Sequence, residues 1–332
     1  MGTSRQVMFP RADAVELVEA EVPSPASGQL RCRAVASLVS TGTELACLRG
    51  EFDPRTFWAE WVQYPFAPGY SMVSRVEEVG AGVTGVRVGD PVFSFTPHAA
   101  EFVLDAAEAT VLPAGVSPEQ AVWSSLAVTT QWAVRRAGFV FGETAVVVGL
   151  GLLGQLLVRY LRVAGARRIV AIDPDAARLE LARAGGADEV LARGAADAIA
   201  SHGGAADVVF EVTGHPAVLA PASELVRPLG RLVLVGDAPK PSLQTLGPRI
   251  VADGISIIGV HAGTAAELAT PSDPWTTAAM LEVFYGLVAS GRMDLDGMLS
   301  REIALEEVPA LYRELQADRG RGLGVLIRWD AA

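Results

Sequence analysis

Hydrophobic and polar positions along the chain form two different patterns, which meet near residue 118. Before that point, short strand-like runs such as QLRCRAVASLV and SMVSRVEEVG are broken by glycine and proline, a pattern typical of a compact β-rich or barrel-like unit. After it, amphipathic helical runs such as LLGQLLVRYLRVAG lie between buried-strand patterns, which are TAVVVGLG, RRIVAID, DVVFEVTG, GRLVLVGD and ISIIGVH. The alternation predicts an α/β fold with a parallel, doubly wound sheet.

The pattern changes again from about residue 268. The run DPWTTAAMLEVFYGLVASG predicts a helix, and GLGVLIRW predicts a strand that rejoins the first unit. We therefore expect one domain from residues 1–117 together with 268–332, and an inserted domain at 118–267. With 332 residues, 50% of them hydrophobic, the chain can build two packed cores.

A glycine-rich turn follows the first strand of the α/β part. In it, Gly149 permits a tight turn, Gly151 lets the backbone approach a pyrophosphate, and Gly154 allows close packing of the next helix. Leu152 and Leu153 open that helix, whose N-terminus attracts phosphate. In this strand-turn-helix context the motif predicts a dinucleotide site, and a tight βα turn without a ligand is the alternative.

An acidic residue ends the second strand of the α/β part. Asp173 lies 24 residues after Gly149, where a carboxylate can accept hydrogen bonds from the hydroxyls of an adenosine ribose. The same charge would repel the 2′-phosphate of NADP(H). The sequence therefore favours NAD(H) over NADP(H), and the alternative for Asp173 is a helix N-cap before Pro174.

Composition and charge limit the partners of the protein. The net charge is −11 and the pI is near 4.9, and no basic run offsets this charge, which argues against nucleic acid or an anionic membrane as a partner. The sequence shows neither a leader-like start nor a stretch of about 20 apolar residues. We therefore expect a soluble cytoplasmic protein with a small-molecule substrate.

Several stretches of the chain, in this order, resemble the medium-chain dehydrogenase/reductase superfamily, which includes the zinc-type alcohol dehydrogenases. They are RVEEVGAGVTGVRVGDPVF, VLPAGVSPEQAVWSSLAVTTQWAVRRAG, the glycine-rich turn, EVTG and GRLVLVG. The resemblance implies a GroES-like catalytic domain split around a Rossmann domain. It also implies a homodimer, in which the strand GISIIGVH pairs with its twofold mate and covers a sheet edge.

The residues that hold catalytic zinc in this superfamily are replaced. In the loop STGTELACLRGEF, Thr41 takes the place of a cysteine, while Tyr70 replaces a histidine and Ser125 falls at the third ligand. Neutral hydroxyls are poor zinc ligands. The four-cysteine lobe for structural zinc is also missing, because the chain has only Cys32 and Cys47, which we interpret as packing residues. We therefore expect no metal.

The departure from the zinc pattern places the chain among zinc-free members of the superfamily. It most resembles the bacteriochlorophyllide dehydrogenase-like branch, which shares a Ser/Thr-Gly-Thr-Glu loop and a Pro-Gly-Tyr segment. Hydroxyls and an imidazole can polarise a carbonyl or accept an alcohol proton in place of a metal.

The resemblance implies three catalytic residues. Thr43 matches a proton-relay residue of the superfamily, Tyr70 stands where the histidine is lost, and His98 lies in a segment that commonly borders the substrate pocket. The alternatives are a packed or surface imidazole for His98 and a space-filling ring for Tyr70. Glu44 matches an acid that orients the loop.

The resemblance also assigns cofactor contacts beyond the glycine-rich turn and Asp173. Arg178 resembles a basic residue near the adenosine ribose, with an exposed helix charge as the alternative. The remaining predicted contacts, beside the nicotinamide or under it, are Thr129, Thr213, Gly214, Val235 and Gly236. His261 is assigned to the substrate pocket, with the dimer edge as the alternative.

Aromatic side chains crowd residues 52–70 of a chain that is only 7% aromatic. Large apolar faces with a few polar groups can line a wide substrate entrance. A loop packed on its own aromatic rings is the alternative. The predicted substrate-pocket residues from this segment and the former zinc positions are Thr41, Phe52, Trp58, Trp61 and Ser125, and they favour a bulky or ring-containing substrate.

Together these features predict a zinc-independent, NAD(H)-dependent oxidoreductase that interconverts a secondary alcohol and a ketone. Reduction of an activated C=C bond, as in enoyl or quinone reductases, is the first alternative. Those enzymes usually use NADPH, so Asp173 argues against a C=C reductase. The alternative of another class is a non-catalytic NAD(H)-binding protein, against which the retained Thr43 argues.

Overall fold

The computed structural model describes residues 2–192, 206–265, 269–318 and 322–329. The chain forms two compact units, the first from Met1–Ser125 with Leu299–Ala332 and the second from Leu126–Met298. The helix in DPWTTAAMLEVFYGLVASG, which the sequence analysis grouped with the first domain, belongs to the second of these units.

The first unit is built on β-strands. β1 (Gly2–Met8) and β2 (Glu16–Val22) form an antiparallel pair. A larger sheet has the order β14-β15-β3-β4-β5-β7, with β6 also paired to β3. Its strands are β3 (Gln29–Val39), β4 (Met72–Val79), β5 (Pro91–Ser94), β6 (Glu101–Asp105), β7 (Thr110–Val111), β14 (Arg301–Ala304) and β15 (Val325–Arg328). β15 pairs antiparallel with β3, so the last strand does rejoin the first unit, as predicted.

Short helices connect these strands. They are α1 (Thr41–Arg49), α2 (Phe57–Trp61), α3 (Pro118–Ala121) and, near the end of the chain, α9 (Val308–Ala317). The α1 helix ends at Gly50, which takes the left-handed conformation (φ 66°) that favours glycine. α3 begins with a capping box, in which Ser117 and Gln120 satisfy each other's backbone N–H groups.

The second unit is a doubly wound α/β fold. Six parallel strands lie in the order β10-β9-β8-β11-β12-β13, the strand order of dinucleotide-binding folds. The strands are β8 (Thr144–Val148), β9 (Arg168–Ile172), β10 (Glu189–Leu191), β11 (Ala206–Glu211), β12 (Val226–Leu234) and β13 (Ser256–Gly259). The five strands predicted from the sequence are present, and β10, only three residues long, was missed.

Helices accompany this sheet and its connections: α4 (Ser124–Arg136), α5 (Leu152–Val163), α6 (Ala176–Ala184), α7 (Leu219–Ser223) and α8 (Thr277–Ala289). None of the helices in the described part of the chain is both long and apolar enough to cross a membrane. All five residues of β8 are buried, because this strand lies inside the sheet between β9 and β11. The strand order reverses between β8 and β11, where such folds bind their ligands.

Candidate functional site

Three hydroxyl groups of the first unit meet at the start of α1. β3 ends at Val39, so Ser40 and Thr43 follow at the N-terminus of the helix. The phenol oxygen of Tyr70 lies 2.6 Å from Ser40 Oγ and 3.2 Å from Thr43 Oγ1. We call Ser40, Thr43 and Tyr70 the hydroxyl trio. The structure thus brings together two of the predicted catalytic residues, Thr43 and Tyr70, and adds Ser40. The only feature of the sequence that could have pointed to Ser40 is its position just before α1.

Tyr70 is held in its protonated form. Burial raises the pKa of Tyr70 to about 12, although the hydrogen bonds with Ser40 and Thr43 act in the opposite direction. A phenol has one proton, so it can donate to one neighbour while accepting from another. At neutral pH, therefore, Tyr70 is a hydrogen-bond donor and not a base.

A buried carboxylate anchors the helix that carries Thr43. Glu44 is 1% exposed, and its Oε1 accepts the backbone N–H of Ser40 at 2.6 Å. Its Oε2 accepts the phenol O–H of Tyr312 and lies 3.1 Å from Nε2 of His98. Glu44 thus fixes the N-terminus of α1 and with it the position of the hydroxyl trio. The sequence indicated this orienting role, but Tyr312, from α9, was not foreseen.

His98 is fully buried, and both of its ring nitrogens have partners. Nδ1 lies 2.8 Å from Ser37 Oγ, which accepts the indole N–H of Trp329 at 2.9 Å. Nε2 of His98 faces a carboxylate oxygen of Glu44, which can only accept, so this nitrogen carries a proton, and Nδ1 pairs with the Ser37 hydroxyl. Direct contact with a substrate would require one of these bonds to break. The role of His98 as a proton carrier stays a prediction.

The imidazole of His98 also packs against the backbone beside Tyr70. A Cβ on Gly69 would lie 2.7 Å from the ring of His98, closer than two carbon atoms can approach, and Gly69 has a φ of +97°. Glycine is therefore required here for two independent reasons. His98 contributes to the position of Tyr70 through this contact, whatever its role in proton transfer.

The three positions that the resemblance assigns to zinc ligands hold hydroxyl groups in the structure. Thr41 is the first residue of α1, Tyr70 belongs to the hydroxyl trio, and Ser125 is buried near the start of α4. Among the described residues, no three His, Cys, Asp or Glu side chains cluster as metal ligands would. The donor set at these positions does not suit zinc, which prefers thiolate, imidazole and carboxylate.

The aromatic side chains of residues 52–70 stack on one another. Phe52 and Trp58 are stacked with centroids 5.8 Å apart, Phe57 and Trp61 are stacked at 5.5 Å, and Trp61 meets Phe66 edge-on at 5.2 Å. Trp58 is buried in the core of the first unit, whereas Phe57 and Trp61 are 47% and 36% exposed. The packing favours the alternative of a loop held by its own rings, and the substrate-pocket role of Phe52, Trp58 and Trp61 stays a prediction.

The glycine-rich turn of the second unit has the geometry of a phosphate site. Gly149 has a φ of +95°, and a Cβ on Gly154 would lie 2.0 Å from the carbonyl oxygen of Gly149. A Cβ on Gly151 would meet nothing within 4 Å, so this glycine borders open space. α5 begins directly afterwards, at Leu152 and Leu153, so that unpaired N–H groups of its first turn face this space. These residues can hold a pyrophosphate.

Asp173 is buried beside the turn. Its Oδ2 accepts the backbone N–H of Leu150 at 2.8 Å, and its Oδ1 accepts that of Asp175 at 2.9 Å. The guanidinium of Arg178 approaches Oδ2 at 3.8 Å. Each carboxylate oxygen keeps further acceptor capacity, as recognition of a ribose requires. The N-cap role, which was the alternative for Asp173, falls to Asp175, which caps α6.

A second buried carboxylate lies at the end of β11. Glu211 accepts the backbone N–H of Thr213 at 2.7 Å and also the Thr213 hydroxyl, and burial raises the pKa of Glu211. A Cβ on Gly149 would lie 2.6 Å from the methyl carbon of Thr213, so this threonine packs on the glycine-rich turn. In the sequence, Glu211 is distinguished only as the first residue of the EVTG motif.

Three further residues that the sequence predicts to contact the cofactor, Val235, Gly236 and Gly214, lie near Glu211 and Thr213. The N–H groups of Val235 and Gly236 donate to the carbonyl of Glu211 at 2.9 and 3.1 Å, so only their carbonyl groups remain for a carboxamide. Gly214, with a φ of +60°, follows Thr213.

Two further predicted residues lie elsewhere in the second unit. Thr129 is half-buried in α4, in a helix whose neighbouring positions are buried. His261 is exposed, and its Nδ1 accepts the backbone N–H of Gly263 at 3.1 Å. Their contacts with cofactor and substrate stay predictions.

Comparison with known families gives one matching description, zinc-binding dehydrogenase, for residues 153–277. The matched range begins inside the glycine-rich turn, at Leu153 of α5, and ends at Thr277, the first residue of α8. It contains none of the three positions 41, 70 and 125, so the match concerns the dinucleotide-binding part of the chain and not its metal chemistry.

Similar proteins extend over most of the chain. An L-threonine 3-dehydrogenase of Pyrococcus abyssi is 25% identical and aligns over 88% of each chain. A D-guloside 3-dehydrogenase of Shigella flexneri is 26% identical over 90% of this chain and 92% of its own length. A solved alcohol dehydrogenase of Escherichia coli CFT073, complexed with NADH, has a TM-score of 0.82 at 18% identity and covers 99% of this chain and 100% of its own.

Proposed function

The chain belongs to the medium-chain dehydrogenase/reductase superfamily, and from that premise we propose that it is a zinc-independent, NAD(H)-dependent oxidoreductase that interconverts a secondary alcohol and a ketone. The observation that carries the proposal is the hydroxyl trio, which includes Tyr70, one of the three positions that the resemblance assigns to zinc ligands. We propose a bulky or ring-containing small molecule as substrate.

Zinc does not fit the residues of this site. Thr41, Tyr70 and Ser125 offer neutral oxygen donors, and burial raises the pKa of Tyr70 to about 12, so its phenolate is not available at neutral pH. A divalent transition metal bound by three neutral hydroxyls would lack the anionic and imidazole ligands that hold it in proteins. No step of the proposed reaction is assigned to a metal.

A nicotinamide dinucleotide does fit the second unit. Gly151 borders open space at the N-terminus of α5, where the pyrophosphate would lie, and Asp173 would accept hydrogen bonds from the adenosine ribose. The charge of Asp173 supports NAD(H) over NADP(H). When bound, the cofactor supplies the hydride acceptor for oxidation and the hydride donor for reduction.

The hydroxyl trio would act on the oxygen of the substrate. Tyr70 and Thr43 donate hydrogen bonds to a carbonyl that develops negative charge as it is reduced. Because the pKa of Tyr70 is raised, the phenol is protonated at neutral pH and can pass its proton to the more basic alkoxide. Ser40, 2.6 Å from Tyr70, can replace a proton that the phenol passes on. Glu44 and His98 keep α1 and the Tyr70 backbone in position.

The chemistry of the relatives supports a secondary alcohol as substrate. One relative is named for oxidation of threonine at carbon 3 and another for oxidation of a guloside at carbon 3.

The exposed, stacked rings of Phe57 and Trp61 offer a flat apolar surface in the same unit as the hydroxyl trio, which suits a ring-containing molecule.

A homodimer in the cytoplasm is part of the proposal. β13 is an edge strand of the parallel sheet, and Ile257 on it is 38% exposed. Leu229 and Val251, in the same unit, are 78% and 93% exposed. Pairing of β13 with its twofold mate would cover this edge.

The proposed activity is tested by a substrate screen on the purified protein, followed by the absorbance of reduced nicotinamide. Secondary alcohols with NAD⁺, and the matching ketones with NADH, are expected to react without added metal. Turnover of α,β-unsaturated carbonyl compounds alone would favour the C=C reductase. Tight NADH binding without hydride transfer to any substrate class would favour a non-catalytic dinucleotide-binding protein.

A further inference from the structure

Gln155 is a fully buried polar side chain in the first turn of α5, directly after Gly154. Its amide nitrogen donates to the carbonyl oxygen of Leu150 at 3.2 Å and to that of Arg178 at 2.8 Å. Leu150 belongs to the glycine-rich turn and Arg178 to α6, so one side chain connects two segments that lie 28 residues apart in sequence. Both amide protons are used in these bonds.

A cation fixes the orientation of this amide. Nη1 of Arg159, one helical turn further along α5, lies 3.4 Å from Oε1 of Gln155 and donates to the Gln155 carbonyl at 3.1 Å. Arg159 is itself buried, and its Nε donates to the carbonyl of Asp294 at 2.5 Å. Because a guanidinium can only donate, the amide oxygen must face Arg159 and the amide NH₂ must face the two carbonyls.

The two segments that Gln155 connects each supply a group that lies next to Oδ2 of Asp173. The N–H of Leu150 donates to Oδ2 of Asp173 at 2.8 Å, and Nη1 of Arg178 lies 3.8 Å from the same oxygen. Gln155, Leu150, Asp173 and Arg178 therefore form a closed ring of contacts. The ring contains the carboxylate that the proposed function assigns to the adenosine ribose.

We propose that Gln155 is a positioning residue for cofactor selection: by holding Leu150 and Arg178 it sets the place and the charge environment of Asp173, and so the discrimination between NADH and NADPH. The inference rests on the proposed NAD(H) function. Without the amide, the carbonyls of Leu150 and Arg178 lose a buried donor, and the two segments that contact Oδ2 of Asp173 can shift, so that the carboxylate loses its position beside the ribose.

The test is the ratio of the dissociation constants of NADPH and NADH, measured by fluorescence titration. Gln155→Met keeps the length of the side chain but removes both donors, and we expect it to lower the ratio about tenfold. Gln131→Met is the matched control, because Gln131 is also buried in the second unit and donates to the carbonyl of Met280 at 3.0 Å. It should lower the melting temperature and change the ratio less than about twofold.

A double-mutant cycle separates positioning from a general loss of structure. In an Asp173→Asn background, Gln155→Met should change the ratio less than about twofold, because the group that it positions has lost its charge. The inference is overturned if Gln155→Met changes the ratio of dissociation constants equally in the unmutated and the Asp173→Asn backgrounds, or in neither of them. If Gln155→Met does not fold, Gln155→Leu, which also lacks both donors, must show the same fall in the ratio of dissociation constants.

Failure of the proposed function gives a different result. If Asp173→Asn leaves the ratio of the otherwise unmutated protein unchanged, Asp173 does not select the cofactor, and both proposals are wrong. If Asp173→Asn lowers the ratio while Gln155→Met does not, the cofactor assignment stands and only the role of Gln155 is wrong.

Discussion

The phenol oxygen of Tyr70 lies 3.2 Å from the hydroxyl oxygen of Thr43, although 27 residues separate them in sequence. Thr43 is held by α1, whose N-terminus is fixed by Glu44, and Tyr70 by a backbone segment that packs on His98. The two hydroxyls are therefore positioned by separate parts of the first unit. Preorganised donors of this kind stabilise charge without rearrangement during the reaction.

We expect Thr43→Val and Tyr70→Phe each to lower kcat by roughly 10²–10³, because each removes one donor from the developing alkoxide. NADH affinity should stay nearly unchanged, since the glycine-rich turn belongs to the second unit. Steady-state kinetics and NADH titration check this. Tyr64→Phe is the control, because the Tyr64 phenol donates to the carbonyl of Cys47 and should affect stability alone. Near-normal kcat in both site variants would favour the C=C reductase.

Purified protein is expected to contain no stoichiometric zinc. Thr41, Tyr70 and Ser125 supply no thiolate, imidazole or carboxylate ligand. Elemental analysis and activity after treatment with a chelator check this. One zinc per chain, with activity lost to the chelator and restored by zinc, would disprove metal independence.

NADH should bind more tightly than NADPH. Asp173 gains hydrogen bonds with ribose hydroxyls, which are worth roughly 1.5–3 kcal/mol when one partner is charged, and it repels a 2′-phosphate. Asp173→Ser should narrow the difference in affinity measured by titration. Because Asp173 also accepts the N–H of Leu150, the melting temperature should be recorded for the same variant. Equal affinities in the unmutated protein would show that Asp173 does not contact the ribose.

Stability should fall as the pH rises above about 10, the pKa of tyrosine in an unfolded chain. Burial raises the pKa of Tyr70 to about 12 and that of Tyr312 well above its usual value, so the unfolded state loses these protons first and is favoured as pH rises. Below about pH 9 this contribution is fully present. Urea unfolding at several pH values should show that the free energy of unfolding falls less at alkaline pH for Tyr70→Phe than for Thr43→Val. The second variant removes no ionisable group.

The protein is expected to be a dimer at micromolar concentration. Ile257→Lys places a charge on the exposed edge strand β13 and should shift light-scattering masses toward the monomer. Phe141→Lys is the control, because Phe141 is 84% exposed in the same unit and lies outside β13. A monomeric unmutated protein, or equal dissociation of both variants, would argue against pairing through β13.

Local patterns in the sequence determined the fold class and predicted the proposed dinucleotide site. Strand and helix periodicities, a glycine-rich turn and an acid at the end of the next strand depend on residues close together in the chain, so a single sequence displays them. The same holds for Thr41, Tyr70 and Ser125, since the resemblance assigns each expected zinc ligand to a single position of the sequence. The short strand β10 was missed because three residues carry too little periodicity.

Only the tertiary structure decided which side chains meet. Ser37, Tyr312 and Trp329, from distant parts of the chain, enclose His98 and Glu44, so an imidazole that the sequence offered as a proton carrier lies in a buried network. Gln155 looked like any polar residue of an amphipathic helix, yet it faces two carbonyls beside Asp173. Sequence patterns report burial and local conformation, whereas hydrogen bonds between distant residues depend on the packing of the whole unit.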